Sequence, residues 1–417
     1  MPKIFKTIIF AGSCALLVYL LKSEFLDSDE EIELKYLLRT PGTLKKIRKE
    51  IRSTRNVSAA QKYTRPRRLP NDYKYILKWT QAFSHFDSPM FRNGQKVFLD
   101  HNCTFKNCYM TNDKSLLVDL RHFDAIIFDA ENTWDAHPPL TFPHQMRIFA
   151  SIDSATNDPV CDEYYDDFFH LTWTYKLDSN ISSPFIRIQD KNNNVIGPRI
   201  NMPWVSPMEP TGEDVIAKLN DKENAVAWFV TDCHLMRRMT VVKDLVKSLK
   251  KHNLKLDIYG PCGNLTCPRN RMEECLGILQ RKYYFYLAFE DSNSEDYVTD
   301  KILYPLLHYT VPIVFGGADY SRFLPPGSYV DAGKLKSDQV VDLMVEAMRA
   351  PAVYRDYFRW RKYYVYKESP GGADVCKLCE LLDEPNFGTR NNFRRWWNSN
   401  YENVCKIPFI RNSQFKF

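Results

Sequence analysis

The sequence predicts an α/β fold in which parallel strands alternate with helices. Apolar runs typical of buried strands recur through its second half, and segments with helical periodicity separate them. The chain has 417 residues, 44% hydrophobic and 14% aromatic, enough for two domains with sizeable cores, which excludes a largely disordered protein. A net charge of +6, without an arginine-rich stripe or aromatic nucleic-acid motif, gives no support to nucleic-acid binding.

The first residues predict a membrane anchor. Residues 7–21 carry no charge and are mostly apolar, two lysines precede them and an acidic stretch follows. By the positive-inside rule, residues 1–6 form a cytoplasmic tail. A cleaved signal peptide is the alternative, but no clear small-residue cleavage site follows. Residues 22–70 change from acidic to basic with little aromatic content, which predicts a stem.

The next part of the chain predicts strands. YKYILKW (73–79) and KVFLD (96–100) have the composition of strands, and FDAIIFDAEN (123–132) reads as a buried strand followed by a polar loop. MRIFASIDSATN (146–157) repeats that plan. The proline-rich segment 202–210 predicts an interdomain linker. We therefore expect one domain over 71–205, a second over 206–360 and a C-terminal tail over 361–417.

The second half predicts parallel α/β units, because strands and helices alternate there. The predicted strands are Ala225–Val230, Lys255–Tyr259, Tyr284–Phe289 and Val311–Phe315, and the predicted helices are Thr240–Lys251, Tyr297–His308 and Asp338–Arg349.

The cysteines indicate an oxidising compartment. Of 11 cysteines, Cys14 lies in the apolar segment, which leaves an even number for disulfides. The spacings suggest local candidates, but the sequence does not fix the pairing. For the CxxC at Cys376 and Cys379, structural disulfides are favoured over zinc because no second CxxC or histidine pair lies nearby. The other candidates are Cys103 with Cys108 and Cys262 with Cys267. Sequons that only a secretory lumen would use occur at Asn56, Asn102, Asn180 and Asn264.

A strand, a polar loop and a helix around residue 290 predict a ligand site. Residues 284–289 are apolar enough for a strand buried on both faces of a parallel sheet. The loop 290–296 lies between the end of that strand and the predicted helix, the position where ligands bind in open α/β sheets.

The residues of that loop fit a sugar nucleotide. The N-terminus of the helix and Lys301 favour a phosphate. Glu290, Asp291 and Asp300 can accept hydrogen bonds from sugar hydroxyls. The alternative is a solvated, charged loop that caps an ordinary helix.

The motif itself resembles a known signature. FEDS (289–292) and EDYVTDK (295–301) are similar to the donor-binding motif of the α-1,3-fucosyltransferase family, usually written FENS and then DYxTEK. The resemblance covers about residues 73–380. Its other parts are FFHLTWTYKLDSNI (168–181), AVAWFVTDCHLMRRMTVVKDL (225–245), KLDIYGPCG (255–263) and VPIVFGGADYSRFLPPGSYVDAGKL (311–335).

The resemblance implies a fold, a reaction and a location. It implies a GT-B architecture, two Rossmann-like domains facing across a cleft. It also implies inverting transfer of fucose from GDP-fucose to N-acetylglucosamine in a glycan, by a type II Golgi membrane protein. No metal is implied, since GT-B enzymes generally stabilise the leaving diphosphate with basic side chains and helix N-termini. TWTYKLDS and VCKLC most resemble invertebrate members.

The resemblance also assigns roles on the donor side. Arg238 matches the family's helix-leading arginine, although Arg237 beside it leaves the register open. Lys301 matches the lysine of the motif, and both cations are expected to bind the diphosphate. Tyr297 matches the motif tyrosine and is expected to contact the nucleotide. Asp300 stands at a glutamate position that resembles a ribose acceptor.

On the acceptor side, the resemblance places a catalytic base at Asp153. The family has a glutamate after a strand of its N-terminal domain, and RIFASIDSATN puts Asp153 at that position. A carboxylate there can take the proton of the attacking hydroxyl. The alternative is an aspartate that only caps a turn, in which case Glu131 or Asp129 would be the next candidates.

Four departures from the family pattern bear on activity. This chain has aspartate at 153 and 300, where the family has glutamate. It also has aspartate at 291, where the family has asparagine. Shortening a carboxylate side chain by one methylene moves it by more than ~1 Å. Pro305 is expected to bend the donor helix. A weakly active or inactive member that binds GDP-sugar or glycan is therefore the main alternative, and an enzyme with a changed donor is a third.

Overall fold

The computed structural model describes residues 72–79, 92–117, 119–130, 141–233, 236–370, 374–383, 387–398 and 401–405. The predicted tail, anchor and stem, with Asn56, lie outside these residues. Within the described ranges, no helix is long and apolar enough to cross a membrane. The described residues belong to one compact unit.

Three sheets contain the strands of the described residues. In chain order these are β1 (Lys74–Lys78), β2 (Cys108–Thr111), β3 (Ala125–Asp129), β4 (Met146–Ser151), β5 (Leu171–Thr174), β6 (Ile181–Ser182), β7 (Ile186–Asp190), β8 (Val195–Gly197), β9 (Asn224–Phe229), β10 (Leu256–Tyr259), β11 (Tyr283–Phe289), β12 (Val311–Phe315), β13 (Val330–Asp331) and β14 (Tyr364–Glu368).

Helices connect and cover these strands. In chain order they are α1 (Lys96–Asp100), α2 (Glu213–Ile216), α3 (Met236–Lys251), α4 (Met272–Lys282), α5 (Leu303–Leu307), α6 (Ser337–Arg349), α7 (Pro351–Asp356), α8 (Val375–Leu381), α9 (Phe393–Trp397) and α10 (Tyr401–Cys405).

Two parallel sheets confirm the predicted α/β class. One has the order β2-β1-β3-β4-β5-β6 and the other β10-β9-β11-β12-β13, and the pairs along each sheet are parallel. All residues of the central strands β3 and β12 are buried, which is why these strands read as continuous apolar runs. The carboxyl ends of neighbouring strands therefore meet at one edge of each sheet.

A third, antiparallel sheet joins distant parts of the chain. It has the order β14-β7-β8, with Tyr364 opposite Asp190 and Glu368 opposite Ile186. Two disulfides, Cys103–Cys376 and Cys108–Cys379, then attach α8 beside α1 and β2. Residues beyond 361, expected as a tail, thus return to the first half of the chain.

Every cysteine among the described residues forms a disulfide, but the local pairs suggested by spacing are wrong. Cys376 and Cys379 lie three residues apart on α8, so both thiols point from one helix face. They reach Cys103 and Cys108 rather than each other, and those two cysteines are buried against them. The remaining pairs are Cys161–Cys405, Cys233–Cys262 and Cys267–Cys275.

The predicted strand KVFLD is wrong, because these residues form helix α1. A strand would bury alternate side chains, whereas the adjacent Val97 and Phe98 are both buried and Leu99 is 45% exposed. Lys96 and Asp100, one helical turn apart, form an ion pair with an N–O distance of 2.6 Å.

The helix after the acidic loop begins later than predicted. Residues Tyr297 to Thr299 are buried and non-helical, and the Thr299 side chain accepts a hydrogen bond from the Lys301 N–H at the start of a 3₁₀ turn over Asp300–Ile302. Helix α5 follows from Leu303. Pro305 therefore lies in the first turn, where its missing N–H has no intrahelical partner to lose, and the expected bend is not required.

Candidate active site

The candidate site lies at the carboxyl edge of the second sheet. The loop 290–297 follows β11, and Gly316 and Gly317 follow the neighbouring strand β12. A Cβ atom on Gly317 would lie 2.5 Å from the backbone of Asn293. Glycine is therefore required for the two loops to approach, and it places the acidic loop against the strand ends.

Glu290 is buried and held in place by Thr299. Its Oε1 accepts a hydrogen bond from the Thr299 N–H at 2.8 Å, and its Oε2 accepts one from the Thr299 hydroxyl at 2.9 Å. Burial raises the pKa of Glu290, while the charge of Lys301 acts in the opposite direction. The carboxylate is thus fixed before any ligand contacts it.

Lys301 lies between two carboxylates. Its Nζ is 3.0 Å from Asp291 Oδ2 and 3.3 Å from Glu290 Oε2. Burial lowers the pKa of the ammonium, but the two carboxylates outweigh burial and the net shift is upward. Lys301 is therefore positively charged at the strand ends, as a phosphate ligand must be.

Arg238 enters the same region from α3. It is 5% exposed, and its Nη2 donates to the Asp232 carbonyl at 2.7 Å. Its buried Nε has no hydrogen-bond partner among the described residues. Burial lowers the pKa of this guanidinium, and the charges of Asp291, Asp232 and Glu290 oppose that shift.

The structure separates the two adjacent arginines. Arg237 is exposed and its guanidinium lies 5.6 Å from the centre of the Phe315 ring, whereas Arg238 is buried close to the acidic loop. Asp300 is exposed at the start of the 3₁₀ turn, and its carboxylate accepts a hydrogen bond from the Tyr304 hydroxyl. Of the predicted donor residues, the structure brings Arg238, Glu290, Asp291 and Lys301 together.

The rest of the acidic loop contacts the first half of the chain. Ser294 Oγ lies 2.8 Å from Thr156 Oγ1, and Asp296 Oδ2 accepts a hydrogen bond from the Leu177 N–H at 3.1 Å. The buried Lys176 donates to Glu295 Oε2 at 3.0 Å. Sequence reasoning missed these contacts, although the similarity over 168–181 was a signal that this segment serves the site.

Asp153 meets the loop from the first half of the chain. It follows β4 and is half-buried, and its Oδ1 accepts hydrogen bonds from the Ser154 N–H at 2.5 Å and the Asn157 amide at 2.9 Å. The Tyr297 hydroxyl lies 3.5 Å from the same oxygen. The two predicted residues, 144 positions apart, thus meet in space.

The Tyr297 side chain is buried, although the sequence predicted that it contacts the nucleotide. It is 7% exposed, and its ring packs edge-on against Tyr175 and Phe185 at centroid distances of 5.0 and 5.6 Å. Proximity to Asp153 adds to burial in raising the pKa of its hydroxyl. Tyr297 therefore remains a neutral donor, oriented toward the carboxylate.

Other predicted residues lie elsewhere. The alternative base Asp129 is 5% exposed at the end of β3, and Glu131 lies outside the described residues. The sequons Asn102, Asn180 and Asn264 are all exposed. In the part of the chain that the structure describes, no group of three or more His, Cys, Asp or Glu side chains could hold a metal ion.

Two family models cover most of the chain. The model described as glycosyltransferase family 10 (fucosyltransferase), C-terminal, matches residues 219–396, and the fucosyltransferase N-terminal model matches residues 71–186. The chain belongs to this family of fucosyltransferases. The gap between the two models, residues 187–218, includes most of β7 and ends shortly before β9, the first strand of the second parallel sheet.

Curated relatives agree with the family assignment. An α-(1,3)-fucosyltransferase C of Drosophila melanogaster is 33% identical over 80% of this chain and 78% of its own length. A 3-galactosyl-N-acetylglucosaminide 4-α-L-fucosyltransferase of Pan troglodytes is 28% identical over 77% of this chain and 80% of its own. The first of these fits the predicted likeness to invertebrate members.

A solved α1,3-fucosyltransferase with GDP-fucose is also similar in structure. It has a TM-score of 0.46 and 12% identity, covering 80% of this chain and 97% of the other. At that score the likeness adds nothing to the assignment, which rests on the family models and the sequence relatives.

Proposed function

We propose that this fucosyltransferase moves L-fucose from GDP-fucose to the 3-hydroxyl of N-acetylglucosamine in a glycoprotein glycan, with inversion. The observation that carries the proposal is the meeting of Arg238, Glu290 and Lys301 at the strand ends, with Asp153 brought to the same loop through Tyr297. We assign the two halves of the chain to the acceptor and donor domains of a GT-B architecture.

The donor side would bind and stabilise the diphosphate. Arg238 can direct its unpaired Nε, and Lys301 its ammonium, at phosphate oxygens, and such charge-assisted bonds are about twice as strong as neutral ones. As the bond from fucose C1 to the phosphate oxygen breaks, the negative charge that develops on GDP lies beside these cations. Glu290, fixed by Thr299, is placed to accept a bond from a donor hydroxyl.

The acceptor side would remove a proton. The oxygen of the acceptor 3-hydroxyl attacks fucose C1, and Asp153 takes the proton of that hydroxyl. The hydrogen bonds from Ser154 and Asn157 fix the carboxylate orientation. No covalent intermediate is needed, because attack and departure of GDP occur on opposite faces of C1.

Donor binding in this proposal is independent of metal, since Arg238 and Lys301 supply the positive charge. Titration of GDP-fucose in the presence of EDTA should give nearly the same affinity as titration with Mg²⁺ or Mn²⁺. A large loss of affinity with the chelator would refute this part of the proposal.

The location follows from the N-terminal sequence. We propose a single-pass type II protein of the Golgi membrane, with residues 7–21 as anchor and the catalytic region in the lumen. The five disulfides of the described residues and the exposed sequons support a lumenal catalytic region.

A member that binds donor without transfer is the second candidate. It is favoured by the short Asp153 side chain, whose Oδ1 already accepts two hydrogen bonds. Incubating the full chain with a panel of sugar nucleotides and defined glycans distinguishes the two. The proposal predicts transfer of fucose only, whereas binding of GDP-fucose without product would favour the second candidate.

A further inference from the structure

Protein oxygens already occupy the ammonium group of Lys301. Its Nζ contacts Asp291 Oδ2 at 3.0 Å, Glu290 Oε2 at 3.3 Å and Thr299 Oγ1 at 3.5 Å. An ammonium has three N–H donors, so these contacts use its full donor capacity. A phosphate oxygen that binds Lys301 therefore competes with these oxygens for the ammonium.

The two carboxylates differ in their freedom to give way. The Glu290 side chain is 2% exposed and is fixed by hydrogen bonds from Thr299. The Asp291 side chain is 37% exposed, and the ion pair with Lys301 is its closest contact to a cation. Asp291 can turn toward solvent, whereas Glu290 cannot, so Asp291 is the group that a phosphate would displace.

Asp291 also acts on the other cation of the site. Arg238 is 5% exposed, and among the carboxylates near it the charge of Asp291 has the strongest effect. In a partly buried site this negative charge both attracts the two cations and repels an incoming diphosphate. The same carboxylate thus opposes anion binding twice.

We propose that Asp291 is an internal competitor for the diphosphate, which occupies Lys301 and weakens the binding of GDP and GDP-fucose alike. This inference rests on the proposed function, because it assumes that the diphosphate lies between Arg238 and Lys301. GDP-fucose and GDP both carry the diphosphate. The Asp291 carboxylate therefore lowers the affinity for GDP-fucose and also speeds the release of GDP.

The test is calorimetric titration of GDP and of GDP-fucose into the full chain and its variants. Asp291→Asn keeps the shape and removes the charge, and we expect it to bind both ligands about 5- to 20-fold more tightly, from the lost ion pair and the lost repulsion. Asp291→Ala should also tighten binding. Asp291→Glu, which keeps the charge, should stay within about twofold of the parent.

Two controls make the result specific. Asp244→Asn changes the same charge at an exposed position of α3, the helix that carries Arg238, and should leave both affinities unchanged. In a Lys301→Ala background, Asp291→Asn should gain less than in the parent, because the competition for the ammonium is gone.

The outcomes separate this inference from the proposed function. If the parent binds both ligands and neither Asp291→Asn nor Asp291→Ala binds them more tightly, the competitor role of Asp291 is wrong. The proposed function is unaffected by that result. Weaker binding of GDP-fucose with unchanged GDP binding would make Asp291 a sugar contact instead, and also overturns the competitor role. A parent and variants that bind neither ligand overturn the proposed function and this inference together.

Discussion

Arg238 and Arg237 are neighbours in the sequence but have opposite environments. Arg238 is buried with an unpaired Nε near the acidic loop, and Arg237 is exposed. Removing one charge-assisted contact costs about 1.5–3 kcal/mol, so Arg238→Ala should weaken GDP binding by roughly 10- to 100-fold. Calorimetry on the folded variants measures this. Arg237→Ala is the matched control, and a comparable loss in that variant would show that the register is wrong.

Asp153 is the residue on which turnover should depend. Asp153→Asn keeps the shape but cannot accept the proton, so turnover should fall by roughly 10²-fold or more while GDP binding is kept. Asp153→Glu moves the carboxylate by about 1 Å and should change turnover. Turnover should rise if the aspartate reaches too short, and fall if the surrounding backbone has adjusted to the shorter side chain. Steady-state kinetics decide this. Parental turnover in both variants would remove Asp153 from the mechanism and make Asp129 or Glu131 the next candidate.

Among single residues, the sequence predicted identity better than environment. The motif singled out Glu290, Lys301 and Arg238 as candidates, because their types and spacing follow a known pattern, and the structure brings the three together. It could not show that Lys301 pairs with Asp291, or that Tyr297 faces Asp153, since the partners meet only in the folded chain. The burial of Lys176 could not be predicted either. Its Nζ donates to the Trp396 carbonyl of the distant helix α9, and such a contact leaves no local pattern in the sequence.

At the scale of elements, strands with continuous apolar runs were predicted well. The strands β9, β10, β11 and β12 begin and end within one residue of the prediction. Burial on both faces leaves a clear apolar pattern in β9, β11 and β12, whereas the edge strand β10 is only half-buried. Helix α1 and the start of α5 were not predicted well. Helix α1 packs against the distant helix α8, which overrides its local composition. The start of α5 is delayed because Thr299 caps the turn before it and is itself bonded to Glu290.

His170 links two neighbouring strands and should make stability depend on pH. Its Nδ1 accepts a hydrogen bond from the Arg147 N–H at 3.0 Å, and burial, with the charge of Arg147, lowers the pKa of the ring to about 4. The unfolded chain keeps a pKa near 6.5, so it binds more protons between these values. Stability should therefore fall as the pH falls from 6.5 to 4, by on the order of 1–2 kcal/mol because solvent screens this half-buried ring.

Denaturation midpoints measured between pH 7 and 4.5 test this. His170→Gln keeps an acceptor but does not titrate, so its curve should be flatter than that of the parent. Parallel curves for the two proteins would assign the acid sensitivity to other groups.

The two disulfides that attach α8 should contribute more to the free energy of unfolding than the short-range disulfide Cys267–Cys275. Cys103–Cys376 and Cys108–Cys379 span 273 and 271 residues of sequence, whereas Cys267–Cys275 spans 8. In the chain-entropy model, closing the long loop stabilises by about 5–6 kcal/mol and the short one by about 2–3. Cys161–Cys405 spans 244 residues and is kept in both variants. Replacing Cys103, Cys108, Cys376 and Cys379 by serine should therefore lower the free energy of unfolding more than replacing Cys267 and Cys275.

Chemical denaturation of the two serine variants, with the parent alongside, measures the difference. Removing only one long-range pair should cost less than removing both, because the other pair still closes nearly the same loop. Equal losses for the short and long sets would contradict the predicted role of α8.

At the scale of the whole molecule, the return of the C-terminal region was not predictable from the sequence. Pairing of β14 with β7 and the attachment of α8 depend on contacts more than 170 residues apart. Local periodicity carries no information about such partners, and cysteine spacing favours the wrong ones. The second parallel sheet followed from the alternation of strands and helices, whereas for the first half the sequence predicted strands and the family resemblance implied the domain.

The central claim is transfer of fucose, so the most direct measurement is a transfer assay with linkage analysis. The full chain is incubated with GDP-fucose and a glycan ending in N-acetylglucosamine or N-acetyllactosamine, and the product is examined by NMR. The account predicts an α-linked fucose on the 3-hydroxyl of N-acetylglucosamine, formed without added metal. Binding of GDP-fucose without any product across these acceptors, or fucose on a different hydroxyl, would contradict it.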